Sequence, residues 1–412
     1  MSAITTIPTD LLTPLGAYLR LRGEGRASFL LESVEQGRLG RHSFLGSGAR
    51  LVSFEEAETL GEPVVGYLAY DHVAKLEPTV PLPALGPDHA ESGFVVADTL
   101  VRYDHGSGTA AVLAGAPDVI ARRLGGELVV DEHEASSVAG ATRRSPERAG
   151  YEAGVRRIQE HILAGDAFQV VLSQRAERPT RASAVDLYRA LRRVNPSPYL
   201  FLLELGGLAL IGSSPETLVR CEGVRASLNP IAGTTHPGEG DAARLLGSEK
   251  DRAEHVMLVD LGRNDLSRVC RAGSVRVERF LEPERFSHVT HLVSEVTGEL
   301  RDGVTPFDLL RACFPAGTVS GAPKIRAMQI VSELEGHRRG PYAGAVGYAL
   351  PDGTLDTCIA IRMIVLDDGI ARLQAGAGIV ADSDPGAEHE ECLNKLAALE
   401  AAIDLAEAEF CS

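Results

Sequence analysis

Two pairs of acidic residues share a spacing that suits cation binding. Glu388 and Glu391 lie three positions apart near the C-terminus, and Asp251 and Glu254 repeat that spacing earlier in the chain. Residues three apart on a helix share a face. Carboxylate oxygens without neighbouring His or Cys suit Mg²⁺, which takes one or two carboxylates and leaves its other positions to water and substrate. The pairs therefore predict a magnesium site, if both segments are helical.

The C-terminal pair is predicted to lie on a long helix. Asp384 followed by proline is typical of a helix start, so a helix is expected from there toward Leu405. At about 100° per residue, one apolar arc contains four residues, namely Cys392, Leu396, Leu399 and Ile403. The edge of that arc contains Glu388, Glu391 and Lys395, whereas Glu390 points away and is expected to be solvated.

The second pair has the same relation to apolar residues. Asp251 and Glu254 share a predicted helix face with Leu258 and Leu261. Solvated surface acids are the alternative, because Asp and Glu are seldom fully buried without a partner. Their position beside leucines favours a bound cation, since burying an unpaired carboxylate costs several kcal/mol.

Composition limits the classes of function. The chain has 412 residues, is 44% hydrophobic and has a formal net charge of -16, which argues against a nucleic-acid or anionic-membrane partner. The six cysteines form no C-x-x-C pair, so neither a zinc site nor a disulfide framework is indicated. No signal-like N-terminus and no apolar run of about 18 residues is present, so a cytoplasmic location is expected.

The predicted elements indicate an α+β fold with adjacent antiparallel strands and inserted helices. Two hairpins are expected, at Gly206-Gly207 and at Asp367-Asp368-Gly369, and one strand is expected across residues 358–366. Residues 131–148 are charged, small and turn-rich, and are predicted to be a linker. The chain would then divide into an N-terminal region, 1–130, and a larger domain, 149–412.

Several ordered segments together resemble the chorismate-utilising enzymes, in particular the members that form anthranilate. The resemblance is strongest from about Tyr151 to Ala401. It rests on residues 165–175 (GDAFQVVLSQR), 212–216 (GSSPE), 230–234 (PIAGT), 253–265 (AEHVMLVDLGRND), 320–324 (SGAPK) and 374–378 (QAGAG). It implies stacked antiparallel sheets flanked by helices, with an active-site cleft. It also makes Glu254 and Glu391 the Mg²⁺ ligands, supported by Asp251 and Glu388.

The resemblance assigns residues to the substrate. Arg362 and Tyr342 would hold the enolpyruvyl carboxylate, and Lys395 would face the substrate. By burial alone Arg362 could instead form an internal ion pair, and Lys395 could form a simple i,i+4 pair with Glu391. The backbone of Gly376, Ala377 and Gly378 would approach a carboxylate, and Gly233 with Thr234 would contact substrate. After Thr234 the chain reads Thr235-His236-Pro237, where the family usually has basic residues, so this loop departs from the family pattern of substrate contacts.

Two residues are implied in proton transfer. Glu216 occupies the position of the acid that protonates the departing ring hydroxyl, and burial would raise its pKa. His291 matches the histidine assigned to removal of the ring proton as pyruvate leaves, although a lone histidine can equally be structural. Thr234 is placed with them as a catalytic residue, and His288 is expected to be structural.

Two positions separate this chain from its relatives. Water-adding members have a lysine base where this chain has Gln169, and synthases that stop at aminodeoxychorismate commonly have a lysine where it has Ala232. Attack by ammonia, giving anthranilate, is therefore implied. No glutaminase-like cysteine is present, so the ammonia is expected from a separate glutamine amidotransferase subunit. Aminodeoxychorismate formation and a non-catalytic regulator remain the alternatives.

Two distant segments resemble the halves of a tryptophan feedback site. They are residues 30–33 (LLES), with Glu32 and Ser33, and residues 195–201 (NPSPYLF), with Pro198, Tyr199 and Leu200. A helix cap at the serine and an ordinary proline turn are the alternative. The presence of both segments favours inhibition by the end product, tryptophan, through different affinities for two arrangements of the protein.

Overall fold

The computed structural model describes residues 5–23, 26–33, 42–127, 140–235, 238, 240–285 and 290–411. Those ranges contain twelve α-helices: α1 (Pro14–Leu21), α2 (Phe54–Leu60), α3 (Val73–Leu76), α4 (Pro117–Leu124), α5 (Arg148–Leu163), α6 (Ala184–Val194), α7 (Asp241–Gly247), α8 (Glu249–Ser267), α9 (Pro306–Cys313), α10 (Gly317–Ser320), α11 (Lys324–Glu335) and α12 (Pro385–Glu409). None of these helices is both long enough and apolar enough to cross a bilayer.

The named strands pair with their neighbours in antiparallel orientation, and several of these neighbours are distant in the chain. In chain order they are β1 (Thr6–Pro8), β2 (Ala27–Glu32), β3 (His42–Gly48), β4 (Arg50–Val52), β5 (Val64–Leu68), β6 (Ser92–Val96), β7 (Thr99–Asp104), β8 (Thr109–Ala114), β9 (Arg143–Ser145), β10 (Gln169–Pro179), β11 (Tyr199–Leu205), β12 (Leu208–Ser214), β13 (Thr217–Glu222), β14 (Arg225–Leu228), β15 (Ile231–Thr235), β16 (Arg276–Arg285), β17 (Thr290–Glu299), β18 (Gly321–Ala322), β19 (Ala345–Ala349), β20 (Leu355–Ile359), β21 (Met363–Asp367) and β22 (Ile370–Ile379).

Two large sheets are formed in the described part of the chain. The first sheet has the order β1-β8-β7-β3-β2-β11-β12-β21-β22-β10-β18, with β9 also pairing with β10. The second sheet has the order β15-β17-β14-β13-β20-β19-β5-β6-β4, with β16 also pairing with β17. Each sheet combines strands from before residue 131 and after residue 148. The division into regions 1–130 and 149–412 therefore stays a prediction. Residues 131–139 of the expected linker lie outside the described residues.

The two sheets are stacked, with helices on their outer faces. Apolar side chains between them include Phe29 and Phe201 of the first sheet and Val346 of the second sheet. Helices α6 and α12 cover the outer face of the first sheet, and α8 and α9 pack against the second sheet. This confirms the predicted α+β fold of stacked antiparallel sheets.

Helix α12 begins and faces the core as its sequence predicts. The side chain of Asp384 accepts a hydrogen bond of 2.8 Å from the amide of Ala387, and the helix continues to Glu409. The predicted arc, which consists of Cys392, Leu396, Leu399 and Ile403, is fully buried. Burying each leucine contributes roughly 2 kcal/mol. Glu390 is solvated as predicted, with 53% of its side chain exposed beside Arg148.

The single strand expected across residues 358–366 is wrong. Strand β20 ends at Ile359 in the second sheet, and β21 begins at Met363 in the first sheet, so the chain crosses between sheets. Arg362 lies at this crossing with a φ of 52°, a left-handed conformation that costs energy for a side chain with a Cβ. The apolar run concealed the break, because buried strands of either sheet give the same pattern.

Candidate active site

Glu216 lies in the loop that joins β12 to β13, opposite the short helix α10. The hydroxyl of Thr318 donates a 3.0 Å hydrogen bond to Oε1 of Glu216. Burial raises the pKa of Glu216 to about 7, against the lowering effects of Thr318 and of the charge on Lys395. The side chain keeps some accessible surface despite that enclosure. A carboxyl group in this state can donate a proton near neutral pH.

Lys395 connects helix α12 to strand β22. Its Nζ donates to Oε1 of Glu391 at 2.7 Å and to the carbonyl of Gly376 at 2.7 Å. The i,i+4 pair with Glu391, which was the alternative from sequence, is therefore present together with a contact to the glycine segment of residues 376–378. The ammonium group also lies close enough to Glu216 to affect its pKa. Lys395 thus places positive charge between the acid and the glycine segment.

Tyr342 borders the same glycine segment, and Arg362 lies close enough to Tyr342 for the two to interact electrostatically. Tyr342 is buried, and its hydroxyl lies 3.2 Å from the position that a Cβ on Gly376 would occupy. Burial lowers the pKa of Arg362, while Tyr342 and Glu391 oppose that change. No ion-pair partner of Arg362 is present within 4 Å among the described residues, so the internal ion pair considered from sequence is absent there. The guanidinium remains suited to an anionic ligand.

Gln169 and Glu254 connect the first sheet to helix α8. The amide of Gln169, at the start of β10, donates to Oε1 of Glu254 at 3.2 Å. Gly378 lies directly against this amide, since a Cβ added there would be 2.6 Å from Nε2 of Gln169. Ala377 is buried between the two glycines of β22. The absence of a side chain at Gly378 thereby leaves room for the Gln169–Glu254 contact.

His291 and Gly233 lie where β17 pairs with β15. Thr234 pairs with His291 in register, and the backbone bulges between Ala232 and Thr234, where Gly233 has a φ of 68°. Nδ1 of His291 lies 3.1 Å from the carbonyl of Gly233, which can only accept, so this nitrogen bears the proton in the neutral ring. Burial lowers the pKa of His291. The imidazole is therefore neutral near pH 7 and can accept a proton at Nε2.

The loop that follows Thr234, where contacts with substrate are predicted, is only partly described. Asp251 lies beside Gly233, because a Cβ on Gly233 would be 3.2 Å from the Cβ of Asp251. The hydroxyl of Ser248 caps α8 by accepting from the Asp251 amide at 3.2 Å. The expectations for His236, Pro237 and His288 lie outside the described residues.

The four predicted metal-binding acids lie on two helices as two pairs. Asp251 and Glu254 are half-buried on α8, whereas Glu388 is half-buried and Glu391 exposed on α12. Among the described residues, no three His, Cys, Asp or Glu side chains converge closely enough to hold a metal ion. The donor set still fits a hard divalent cation that takes one or two carboxylates and fills its other positions with water and substrate.

A cavity away from Glu216 lies between the two sheets. It has a volume of about 80 Å³, and its lining contains all five residues of the predicted tryptophan site, namely Glu32, Ser33, Pro198, Tyr199 and Leu200. Pairing of β2 with β11 brings the two segments together, and the hydroxyl of Ser33 donates to the carbonyl of Pro198 at 3.0 Å. The alternative of a helix cap at Ser33 is not tested, because residues 34–41 lie outside the described residues.

The walls of this cavity suit an aromatic zwitterion. The rings of Phe44 and Tyr348 lie 4.2 Å apart, and both border the space. Arg220 and Asp356 contribute one charge of each sign, 3.1 Å apart. The hydroxyl of Tyr199 lies 2.8 Å from Oγ1 of Thr217, the residue that follows Glu216. The cavity therefore has a direct polar contact with the segment that holds the acid.

Sequence reasoning missed Thr318, which precedes the 320–324 motif by only two residues. It also did not anticipate that Lys324, the last residue of that motif, pairs with Asp265, the last residue of the 253–265 motif, at 2.8 Å. Both side chains are largely buried, so the pair fixes α8 against α11. Proximity of unassigned polar residues to a motif was the available signal for Thr318.

Comparison with known proteins agrees with this geometry. Residues 26–401 match the family model described as chorismate binding enzyme. The chain is 43% identical to anthranilate synthase component 1 of Thermus thermophilus, over 98% of each chain. It is 45% identical to the Streptomyces coelicolor protein of the same name, over 97% of this chain and 88% of that protein. The crystal structure of anthranilate synthase component I from Streptococcus pneumoniae superposes with a TM-score of 0.77 at 32% identity, covering 97% of this chain and 100% of the other. The chain thus belongs to the chorismate binding enzyme family.

Proposed function

We propose that this chain is the synthase component of an anthranilate synthase. It converts chorismate and ammonia to anthranilate, pyruvate and water. The relatives named above support this assignment. The observation that carries the choice of ammonia over water is the contact between Gln169 and Glu254. A side-chain amide cannot take a proton from water near neutral pH, and here it is engaged with a carboxylate.

The reaction requires one proton donor and one proton acceptor. Glu216, with a pKa near 7 and a hydrogen bond from Thr318, donates a proton to the departing ring hydroxyl, which leaves as water. Ammonia forms the new carbon–nitrogen bond at the neighbouring allylic position. Neutral His291 then accepts the ring proton at Nε2 as the enolpyruvyl ether bond breaks. The added nitrogen gives up one proton, the released enolpyruvate takes one up to become pyruvate, and the ring becomes aromatic.

Cationic side chains and backbone groups hold the two substrate carboxylates. Arg362 and Tyr342 bind the enolpyruvyl carboxylate, which gives the buried guanidinium an anionic partner. The backbone from Gly376 to Gly378 and the ammonium of Lys395 lie on the same side of the cleft. These contacts orient the ring toward Glu216. The entropy cost of aligning the reactants is then met when chorismate binds, and not in the reaction step.

A divalent cation completes the site. Glu254 and Glu391 would hold Mg²⁺, with Asp251 and Glu388 supporting them. Bound there, the cation would draw electron density toward the ring carboxylate and favour attack on the ring. Gln169 keeps Glu254 oriented, and Lys395 keeps Glu391 oriented, before any ligand binds.

Ammonia is supplied by a second protein, a glutamine amidotransferase subunit. The relatives are named as first components, which supports a two-component enzyme. The proposed setting is the cytoplasm, where glutamine and chorismate are both at hand. Ammonium salts replace the partner when their concentration is high enough.

Tryptophan regulates the enzyme from the cavity between the sheets. The ring pair of Phe44 and Tyr348 offers a surface for the indole, and Arg220 and Asp356 offer charges of both signs to the amino acid group. Tyr199 couples the cavity to the active site, because its hydroxyl contacts Thr217 next to Glu216. Tryptophan would then favour an arrangement in which the acid is misplaced.

The test is a product assay on the purified chain with chorismate, an ammonium salt and Mg²⁺. The expected result is fluorescent anthranilate with one pyruvate per turnover, lost on addition of EDTA and restored by Mg²⁺. A non-aromatic amine without pyruvate would instead identify an aminodeoxychorismate synthase. Tryptophan binding without any chorismate turnover would identify a non-catalytic regulator.

A further inference from the structure

Strand β10 has an uncovered edge beside the active site. β22 pairs along one side of it, from Val170 to Pro179. On the other side, β18 covers only Gln169 and Val170, and β9 covers only 175–177. No described strand therefore pairs with the outer edge of residues 171–174. Unpaired backbone groups at a buried edge are costly, so other groups must satisfy them.

A buried ion pair on α11 and the following loop fills this gap. Nη2 of Arg339 donates to the carbonyl of Val171 at 2.8 Å, and Oε1 of Glu335 accepts from the amide of Ser173 at 2.9 Å. The two side chains bind each other through two hydrogen bonds of 2.9 and 2.7 Å. Their side chains are only 1% and 7% exposed. The pair replaces the hydrogen bonds of a missing strand.

The same guanidinium reaches two segments that carry the proposed chemistry. Nη1 of Arg339 donates to the carbonyl of Val319 at 2.6 Å, and Val319 follows Thr318, the partner of Glu216. The guanidinium carbon also lies 5.8 Å from the ring centre of Tyr342, within the range of a cation–π contact.

The loop that carries Arg339 is itself fixed. Asp71 accepts hydrogen bonds from the amides of Arg339 and Gly340, at 3.1 and 3.0 Å. The ring of Tyr70 lies 4.6 Å from the guanidinium carbon on another side. Arg339 therefore has one defined position, and the groups that it contacts acquire defined positions relative to one another.

We propose that Arg339, held by Glu335, is a positioning residue that aligns the Thr318–Glu216 pair with Tyr342 and strand β10. This proposal rests on the proposed function. It assigns no contact with substrate to either residue. A positioning role differs from a purely stabilising role in what it predicts. Displacement of Arg339 must change the proton transfer by Glu216, and not only the stability of the fold.

The test compares Arg339→Lys with a control on helix α11, which precedes the Arg339 loop, namely Arg326→Lys. Arg326 pairs with Asp166 at the surface, so the control should behave as wild type. Lysine keeps the charge of Arg339 but lacks the planar fork, so it cannot bind Glu335, Val171 and Val319 together. We expect kcat to fall roughly 10²-fold, as for a small misplacement of catalytic groups, and KM for chorismate to rise.

The pH profile separates positioning from stability. Thr318 and Lys395 are the groups that lower the pKa of Glu216. If Arg339 places Thr318, then Arg339→Lys should move the alkaline limb of kcat/KM to higher pH. Adding Thr318→Val should then cause no further shift, because both changes remove the same hydrogen bond. A lower melting temperature with unchanged kcat, KM and pH limb would overturn the proposal, as would fully additive shifts.

Two further measurements keep the outcome decisive. Glu335→Gln places an amide donor against Arg339 and should reproduce the kinetic changes if Arg339→Lys does not fold. In the wild-type protein, the amide of Ser173 should exchange slowly with solvent although no described strand pairs with it on that edge. Fast exchange would contradict the hydrogen bond to Glu335 without the need for any variant. Wild-type protein that forms no anthranilate overturns the proposed function, whereas active wild type with a normal Arg339→Lys enzyme overturns only this proposal.

Discussion

Thr318 and Glu216 form a hydrogen-bonded pair 3.0 Å apart in which the hydroxyl donates and the carboxyl accepts. The two residues come from segments about 100 positions apart in the chain, and neither periodicity nor spacing connects them. Because the bond favours the ionised carboxylate, it lowers the pKa of Glu216 against the effect of burial, which leaves the group near pH 7. The pair thereby sets the pH at which the acid works.

Thr318→Val should move the alkaline limb of the pH profile upward. Glu216 must be protonated to act, so kcat/KM for chorismate, at constant ammonia concentration, should fall in wild type as the pH rises through about 7. Loss of the Thr318 hydrogen bond raises the pKa of Glu216, so that fall should occur at higher pH. The rate on the plateau should decrease about fivefold, as expected for one lost hydrogen bond. A limb that stays in place would show that another group controls it.

Glu391→Gln should remove magnesium-dependent activity, and Glu390→Gln should leave it intact. Both residues are on α12. Glu391 faces Lys395 at the cleft, whereas Glu390 is exposed to solvent and pairs with Arg148 of α5. Losing a cation ligand should cost several kcal/mol, or on the order of 10³-fold in kcat. The measurement is anthranilate formation as a function of Mg²⁺ concentration. Equal losses in the two variants would remove the proposed distinction.

Gly378→Ala should weaken the response to Mg²⁺ more than the affinity for chorismate. The added Cβ would lie 2.6 Å from Nε2 of Gln169, so the flexible amide must move and release Glu254. An effect of about 10-fold to 100-fold on the Mg²⁺ concentration for half activity is expected when a residue that supports a ligand is lost.

Gly376→Ala provides the comparison for that prediction. Its Cβ would lie 3.2 Å from the hydroxyl of Tyr342 and 3.0 Å from the carbonyl of Leu172. Its main effect should therefore be a higher KM for chorismate. The same Mg²⁺ dependence in both glycine variants would contradict the separate roles of the two glycines.

Tyr199→Phe should weaken inhibition by tryptophan while leaving uninhibited activity near that of wild type. The change removes a hydroxyl that lies 2.8 Å from Thr217 and 3.2 Å from Asp356. About a fivefold increase in the half-inhibitory concentration is expected for one lost hydrogen bond. Tyr103→Phe, which removes a hydroxyl bonded to the carbonyl of Leu12, is the matched control. Unchanged inhibition in Tyr199→Phe would exclude Tyr199 from the coupling.

The sequence by itself determined the elements whose signals are local. The cap at Asp384, the buried arc of α12 and the solvated position of Glu390 all follow from one residue type and a period of 3.6. Family motifs added the segments around Glu216, His291 and the glycines of β22. Each of these signals is contained within a few turns or a few strand residues.

The tertiary structure decided the relations between segments. Three such relations depend on which distant strands pair and in which register. They are the position of Arg362 at the crossing between sheets, the hydrogen bond from Thr318 to Glu216, and the hydrogen bond from Arg339 to β10. A buried apolar run reads alike in either sheet, and a polar residue near a motif does not reveal its partner. Those choices are fixed only when the whole core packs, because burial and hydrogen-bond satisfaction are properties of the complete arrangement.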